Sequence, residues 1–139
     1  MGMASVERTA GIPKGGRSMK YILTGKVTPK QRPRFGGGHA YLPSKYRDWK
    51  ENAIIELLSQ SRPIEPISKA EISIQLYGAM RGDLDNLAGS VLDALVQARI
   101  LLDDRLSVVS KLSIAHQPAK TPSCSIEIVS PLLDSIHLY

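Results

Sequence analysis

The strongest constraint on the fold of this 139-residue chain is the spacing of its apolar residues, which changes repeatedly between two residues and three or four. Spacings of three and four predict one helix that begins at Ser44 and stops before Pro63, and a second helix over residues 85–98. Alternation of apolar and polar residues predicts strands over 21–27, 71–77, 106–115 and 124–128. The resulting order, β-α-β-α-β-β, predicts a single compact α+β domain with a mixed sheet.

The domain is predicted to occupy residues 20–131. Residues 1–19 are rich in glycine, serine and charge, which is typical of a flexible basic tail, and residues 132–139 are predicted to form a short C-terminal tail. Residues 28–43 are predicted to form one long loop. Four apolar residues of the third predicted strand are expected to share one of its faces: Leu106, Val108, Leu112 and Ile114.

Charge is divided unevenly between the two halves of the chain, whose formal net charge is +5. Residues 1–50 hold eleven lysines and arginines against two acidic residues, whereas residues 51–139 hold seven against eleven. A basic half is typical of a surface that binds a polyanion, and an acidic half of one that holds a cation. Composition leaves open the alternative of a solvated surface with scattered charges.

Several classes of protein are excluded by what the chain lacks. The single cysteine, Cys124, forms neither an internal disulfide nor a cysteine-ligated zinc site, and the three histidines have no metal-binding spacing. No apolar run approaches the roughly 20 residues that span a bilayer. The N-terminus has no recognisable secretory signal. We therefore expect a cytoplasmic protein.

Four aspartates are grouped around the second predicted helix. Asp83 and Asp85 are predicted to stand two apart at the end of a strand, where this helix begins, and Asp103 and Asp104 at the start of the next strand, after the helix. In an extended backbone the first two side chains project to the same side, and a helix that returned the chain to the same edge of the sheet would bring the other two to them. Clustered carboxylates need a cation, and oxygen ligands suit Mg²⁺ or Mn²⁺. Such a site can activate water against a phosphodiester, which predicts a metal-dependent phosphodiesterase.

The same residues allow other interpretations. Asp85 or Asn86 could cap the second helix, which explains one acidic residue but not four. An EF-hand loop that starts at Asp83 is excluded, because Ala88 and Ala94 stand where that loop needs glycine and glutamate. A phosphohydrolase acting on nucleotides is less favoured, because the basic half of the chain indicates a long polyanion as the partner.

The segment around these aspartates resembles the signature of the RusA-type Holliday-junction resolvases. It contains DLDN at residues 83–86, VLDAL at 91–95, and a DD pair at 103–104 that ends a hydrophobic run. The internal spacings agree over residues 82–104. A weaker likeness extends over about residues 20–130 and includes RPRF at 32–35 and YLPS at 41–44.

The resemblance implies a RusA-like fold and a homodimeric, Mg²⁺-dependent endonuclease of DNA recombination and repair. Such an enzyme nicks four-way junctions and other branched DNA, and it leaves 5′-phosphate and 3′-hydroxyl ends. By position, Asp83, Asp85 and Asp104 match the catalytic, metal-binding carboxylates, and Asp103 matches the other member of the acidic pair in the metal site.

The chain departs from the family pattern at Gly89, where the resemblance implies a catalytic lysine. Lys30, Arg81 and Lys111 are candidates for a replacement cation, and a module that binds branched DNA without cutting it is the alternative. Phe35 is predicted either to wedge against an unstacked base or to pack on the core. DNA contacts are predicted for five basic residues: Lys30, Arg32, Arg34, Arg81 and Lys111.

Overall fold

The computed structural model describes residues 17–31, 34–41 and 44–131 of the chain. The predicted α+β domain with a mixed sheet is confirmed. No helix among the described residues is long and apolar enough to cross a membrane. In chain order the elements are β1 (Arg17–Thr24), β2 (Arg34–Gly36), β3 (His39–Tyr41), α1 (Ser44–Gln60), β4 (Ala70–Tyr77), α2 (Leu84–Gln97), β5 (Val109–Gln117) and β6 (Ser123–Ser130).

Strand β1 starts earlier than the sequence pattern indicated. Met19 is buried and pairs with Ile128 of β6, because it continues the alternating core face formed by Tyr21 and Leu23. The domain boundary predicted at residue 20 therefore falls inside a strand. Residues 1–16 and 132–139, which belong to the two predicted tails, lie outside the described residues.

The main sheet has four strands in the order β1-β6-β4-β5. Strand β6 is antiparallel to β1 and to β4, whereas β4 and β5 are parallel. Alternate residues of the strands pack against α1 and α2 on one face of the sheet, and the other face is largely polar. The largest buried side chains of this core include Tyr21, Leu57, Ile74, Leu95 and Ile126.

Helix α2 connects the two parallel strands, and its ends therefore lie at opposite edges of the sheet. At the carboxyl edge, where β4 and β5 end, the Gly78 N–H donates to the Gln117 carbonyl at 2.9 Å. At the amino edge, where these strands begin, the Ala70 N–H donates to the Val108 carbonyl at 2.8 Å. With 14 residues, α2 spans about 21 Å between the two edges.

The two outer strands of the sheet differ in how their free sides are covered. Gln60 of α1 accepts from the Ile22 N–H at 2.9 Å and donates to the Ile22 carbonyl at 2.7 Å, and the Glu56 carboxylate accepts from the Thr24 N–H at 3.1 Å. Side chains of α1 thus cover β1. Across residues 17–31, 34–41 and 44–131, we find no comparable cover for the free side of β5.

Two expectations about local structure were wrong: the start of the third predicted strand at Leu106, and the single loop over residues 28–43. Leu106 is 89% exposed, because residues 106–108 form a turn in which the Val108 N–H donates to the Arg105 carbonyl, and β5 starts only at residue 109. Leu112 is also exposed, since it lies on the uncovered outer strand. The predicted loop contains the hairpin β2–β3, whose central glycines Gly37 and Gly38 have φ values of 61° and 84°. Positive φ at both positions is the requirement of a type I′ turn.

Candidate active site and DNA-contacting surface

Asp83 and Asp85 lie at the carboxyl edge of the sheet, where α2 begins. Both side chains are exposed. The sequence pattern placed them at the end of a strand, but β4 ends at Tyr77, so Asp83 is the N-cap residue of α2 and Asp85 lies in its first turn. The helix dipole favours carboxylates at this end.

The helix cap expected from Asp85 or Asn86 is not observed. Asp83 occupies the cap position without a side-chain hydrogen bond to the helix, and Asp85 Oδ1 accepts from the N–H of the next residue, Asn86, at 2.9 Å. The side chain of Asn86 is used elsewhere, because its Oδ1 accepts from the Lys30 N–H at 2.7 Å. The carboxylate of Asp83 is therefore not used by its own helix.

Asp103 and Asp104 lie at the amino edge, between α2 and β5. Asp103 Oδ1 accepts from the Asp104 N–H at 2.7 Å, and Asp103 Oδ2 accepts from Arg105 Nε at 2.7 Å. The main-chain hydrogen bond from Asp104 is the largest of the effects that lower the pKa of Asp103, and the guanidinium of Arg105 adds to it. Asp104 is exposed.

The two acidic pairs do not meet within one chain. We expected α2 to return the chain to the edge it had left, and this was wrong, because a helix that joins parallel neighbours has to cross the sheet. The whole of α2, which is about 21 Å long, lies between the two pairs. In the part of the chain that the structure describes, no three His, Cys, Asp or Glu residues are arranged to hold one metal ion.

The pair at the start of α2 has the donor chemistry of a magnesium site, although it is not a complete carboxylate cluster. Asp83 and Asp85 offer oxygen ligands that are open to solvent. Mg²⁺ in proteins commonly takes one or two carboxylates and completes its shell with water and substrate phosphate. These two residues therefore fit such an ion, and the cluster of four predicted from the sequence is not formed by a single chain.

The predicted DNA-contacting residues are distributed over different parts of the molecule. Lys30 and Arg81 are exposed at the carboxyl edge beside α2. Lys111 pairs with Glu71 on the face of the sheet that the helices leave open, so it does not join them. Arg32 lies outside the described residues, and for Arg34 the structure describes only the main chain, in β2. The contacts of these residues with DNA stay predictions.

Phe35 is 83% exposed on the hairpin, and so the interpretation in which it packs on the core was wrong. Its role as a wedge against DNA bases stays a prediction.

A partly buried network that the sequence pattern did not reveal joins the two helices. Asp93 Oδ2 accepts from the Tyr46 hydroxyl at 2.6 Å and from Lys50 Nζ at 3.1 Å. Burial raises the pKa of Asp93, but the hydrogen bonds from Tyr46 and Lys50 outweigh it and hold this pKa below its usual value. Burial and the neighbouring carboxylate raise the pKa of Tyr46. In the sequence this network is visible only as one acidic residue inside an apolar helix, and that pattern does not identify its partners.

A family model described as Endodeoxyribonuclease RusA matches residues 24–129. The match includes both acidic pairs, Lys30 and the whole of α2. No curated protein matches the chain closely enough to serve as a named relative.

Proposed function

Since the chain belongs to the RusA endodeoxyribonuclease family, we propose that it is a Mg²⁺-dependent endonuclease that cuts four-way DNA junctions. The supporting observation is the exposed pair Asp83 and Asp85 at the start of α2, with the basic residues Lys30 and Arg81 at the same edge. Carboxylates for a divalent cation beside bases for a phosphate backbone suit phosphodiester hydrolysis. Mn²⁺ is the expected substitute ion, and the proposed setting is DNA recombination and repair in the cytoplasm.

In the proposed reaction a water oxygen bonds to phosphorus and the bond from phosphorus to O3′ breaks. The O3′ leaving group takes a proton, which gives a 3′-hydroxyl and a 5′-phosphate. Asp83 and Asp85 would hold the cation, and when bound it supplies positive charge to the phosphate and lowers the pKa of a water ligand. Lys30 and Arg81 would orient the DNA backbone at this edge.

We propose further that the enzyme works as a homodimer in which β5 pairs with β5 of a second copy. The free side of β5 is uncovered, the exposed leucine Leu112 lies on this strand, and the exposed Leu106 lies three residues before it. A twofold axis makes such a pairing antiparallel, so the amino edge of one copy meets the carboxyl edge of the other. Asp104 of one copy would then face Asp83 and Asp85 of the other and complete the acidic site.

The proposed interface predicts a specific loss of association. Leu106→Glu should turn a dimer into a monomer at micromolar concentration, because it places charge in an apolar contact, and sedimentation equilibrium measures the change directly. Ile55→Glu is the matched control, because Ile55 is also an exposed apolar side chain but lies on α1. A wild-type chain that sediments as a monomer would contradict the dimer.

Cleavage of synthetic four-way junctions tests the nuclease itself. With Mg²⁺ or Mn²⁺, the wild type should nick junctions near the crossover and leave duplex DNA largely intact. Asp83→Asn should lower the cleavage rate by on the order of 10²–10³, because it removes a charged ligand of the cation beside the reacting phosphate. Asp48→Asn, on the surface of α1, is the control. Tight junction binding without cleavage under either metal would favour the non-cutting DNA-binding module instead.

A further inference from the structure

Gly89 lies on α2 in line with two acidic residues. Asp85, Gly89 and Asp93 are spaced four apart and so share one stripe of the helix surface. A Cβ atom placed at Gly89 would lie 3.5 Å from Cδ of Lys30, which is ordinary van der Waals contact. The hydrocarbon stem of Lys30 therefore packs over the glycine, in the space where another residue would carry its own side chain.

The main chain around Lys30 is fixed to α2 by two polar contacts. The Lys30 N–H donates to Asn86 Oδ1 at 2.7 Å, and the Thr28 carbonyl accepts from Ser90 Oγ at 2.6 Å. Residues 28–30 consequently run along the first two turns of the helix. The side chain of Lys30 starts from an anchored position, although its outer part is exposed to solvent.

Among the described residues, Lys30 forms no ion pair with the neighbouring acidic residue Asp93. Asp93 is already bonded to Tyr46 and Lys50, and the ion pairs found among the described residues do not include Lys30. Lys30 also contributes to the lowered pKa of Asp93, which agrees with an ammonium group close to this stripe. The ammonium group is thus available to an anion that approaches Asp85.

We infer that Lys30 is the cation that contacts the scissile phosphate at this site, with its stem lying in the space that Gly89 leaves open. The inference rests on the proposed nuclease function. A fixed positive charge beside the phosphate stabilises the negative charge that develops on its oxygens during hydrolysis. An anchored lysine that packs across a glycine supplies this charge from a loop, where α2 itself offers none.

The test compares Lys30→Met with Lys20→Met. Methionine keeps an apolar stem over Gly89 and removes the charge, and Lys20 is an exposed lysine of β1 on the open face of the sheet. Under single-turnover conditions with Mg²⁺, Lys30→Met should cleave junctions on the order of 10²–10³ times more slowly than the wild type, and Lys20→Met at nearly the wild-type rate. Adding Gly89→Lys to Lys30→Met should restore much of the lost rate, because the new lysine starts from the position over which the side chain of residue 30 packs.

The salt dependence of junction binding separates this inference from the nuclease proposal. Loss of one phosphate contact should reduce the slope of log K against log salt by about 0.9 in Lys30→Met. A variant that cleaves within about threefold of the wild type overturns the role of Lys30 and leaves the nuclease intact. If the wild type fails to cleave with either metal, the nuclease proposal falls. An unchanged salt slope in Lys30→Met would then overturn the phosphate contact as well, and a reduced slope would support it.

Discussion

Mixing Asp85→Asn and Asp104→Asn chains is expected to restore junction cleavage that neither variant has alone. Each variant by itself should lose on the order of 10²–10³ in rate, since a charged group is removed from every site. In a mixed dimer with the proposed β5 pairing, one site combines both substitutions and the other has neither. The physical basis is the position of Asp85 and Asp104 at opposite edges of the sheet, which α2 crosses between them.

The size of the recovery is set by how the chains mix. Equal amounts refolded together give half mixed dimers, so about a quarter of all sites should be intact. A plasmid or junction nicking assay should then show single-strand nicks and few paired cuts. A mixture of Asp83→Asn with Asp85→Asn is the matched control, because both substitutions affect the same group and no complete site can form. Equal inactivity of both mixtures would contradict a site shared between copies.

Asp93→Asn is expected to lower the free energy of unfolding by about 3 kcal/mol, because it leaves Lys50 and Tyr46 partly buried without the charge that they share. The side chains of Lys50 and Asp93 are only 12% and 22% exposed. For a domain of this size the loss should appear as a decrease in Tm of about 10 °C in a calorimetric scan. Asp48→Asn, whose ion pair with Arg47 lies on the surface of α1, should change stability by less than about 1 kcal/mol.

The difference in stability between the wild type and Asp93→Asn should depend on pH. The folded-state pKa of Asp93 lies below its unfolded value, so the ionised carboxylate stabilises the fold at neutral pH. That contribution is lost as the pH falls through the folded-state pKa. The stability difference between wild type and Asp93→Asn should therefore be constant above about pH 5 and shrink below about pH 4. A difference that does not change with pH would contradict a charged Asp93.

The periodic parts of the sequence were sufficient to predict both helices and most of the strands. Apolar spacing places α1 and α2 within one or two residues, because each helix has one face buried against the sheet. The edge strand β5 was harder to predict from the sequence, because Leu106 and Leu112 continue an apolar pattern that no neighbour buries. The hairpin had a usable signal in its consecutive glycines, which permit the type I′ turn.

The residues of the candidate site could be predicted from the sequence, but their arrangement in space could not. The motif at 83–86 and the pair at 103–104 identify the acids, but only the parallel pairing of β4 and β5 shows that α2 holds them apart. Likewise, the packing of Lys30 over Gly89 joins positions 59 residues apart in sequence, and no local pattern encodes such a contact. These facts depend on strand direction and long-range packing, which residue spacing does not specify.

The cover of β1 by α1 limits how large an assembly of these chains can grow. A sheet with two free sides can add copies without end, which is the route to fibres. Here Gln60 and Glu56 occupy main-chain groups of β1, so growth through this strand would first have to break their hydrogen bonds. With β5 as the one side of the main sheet left open among the described residues, the proposed strand pairing between copies would be self-terminating and would stop at two.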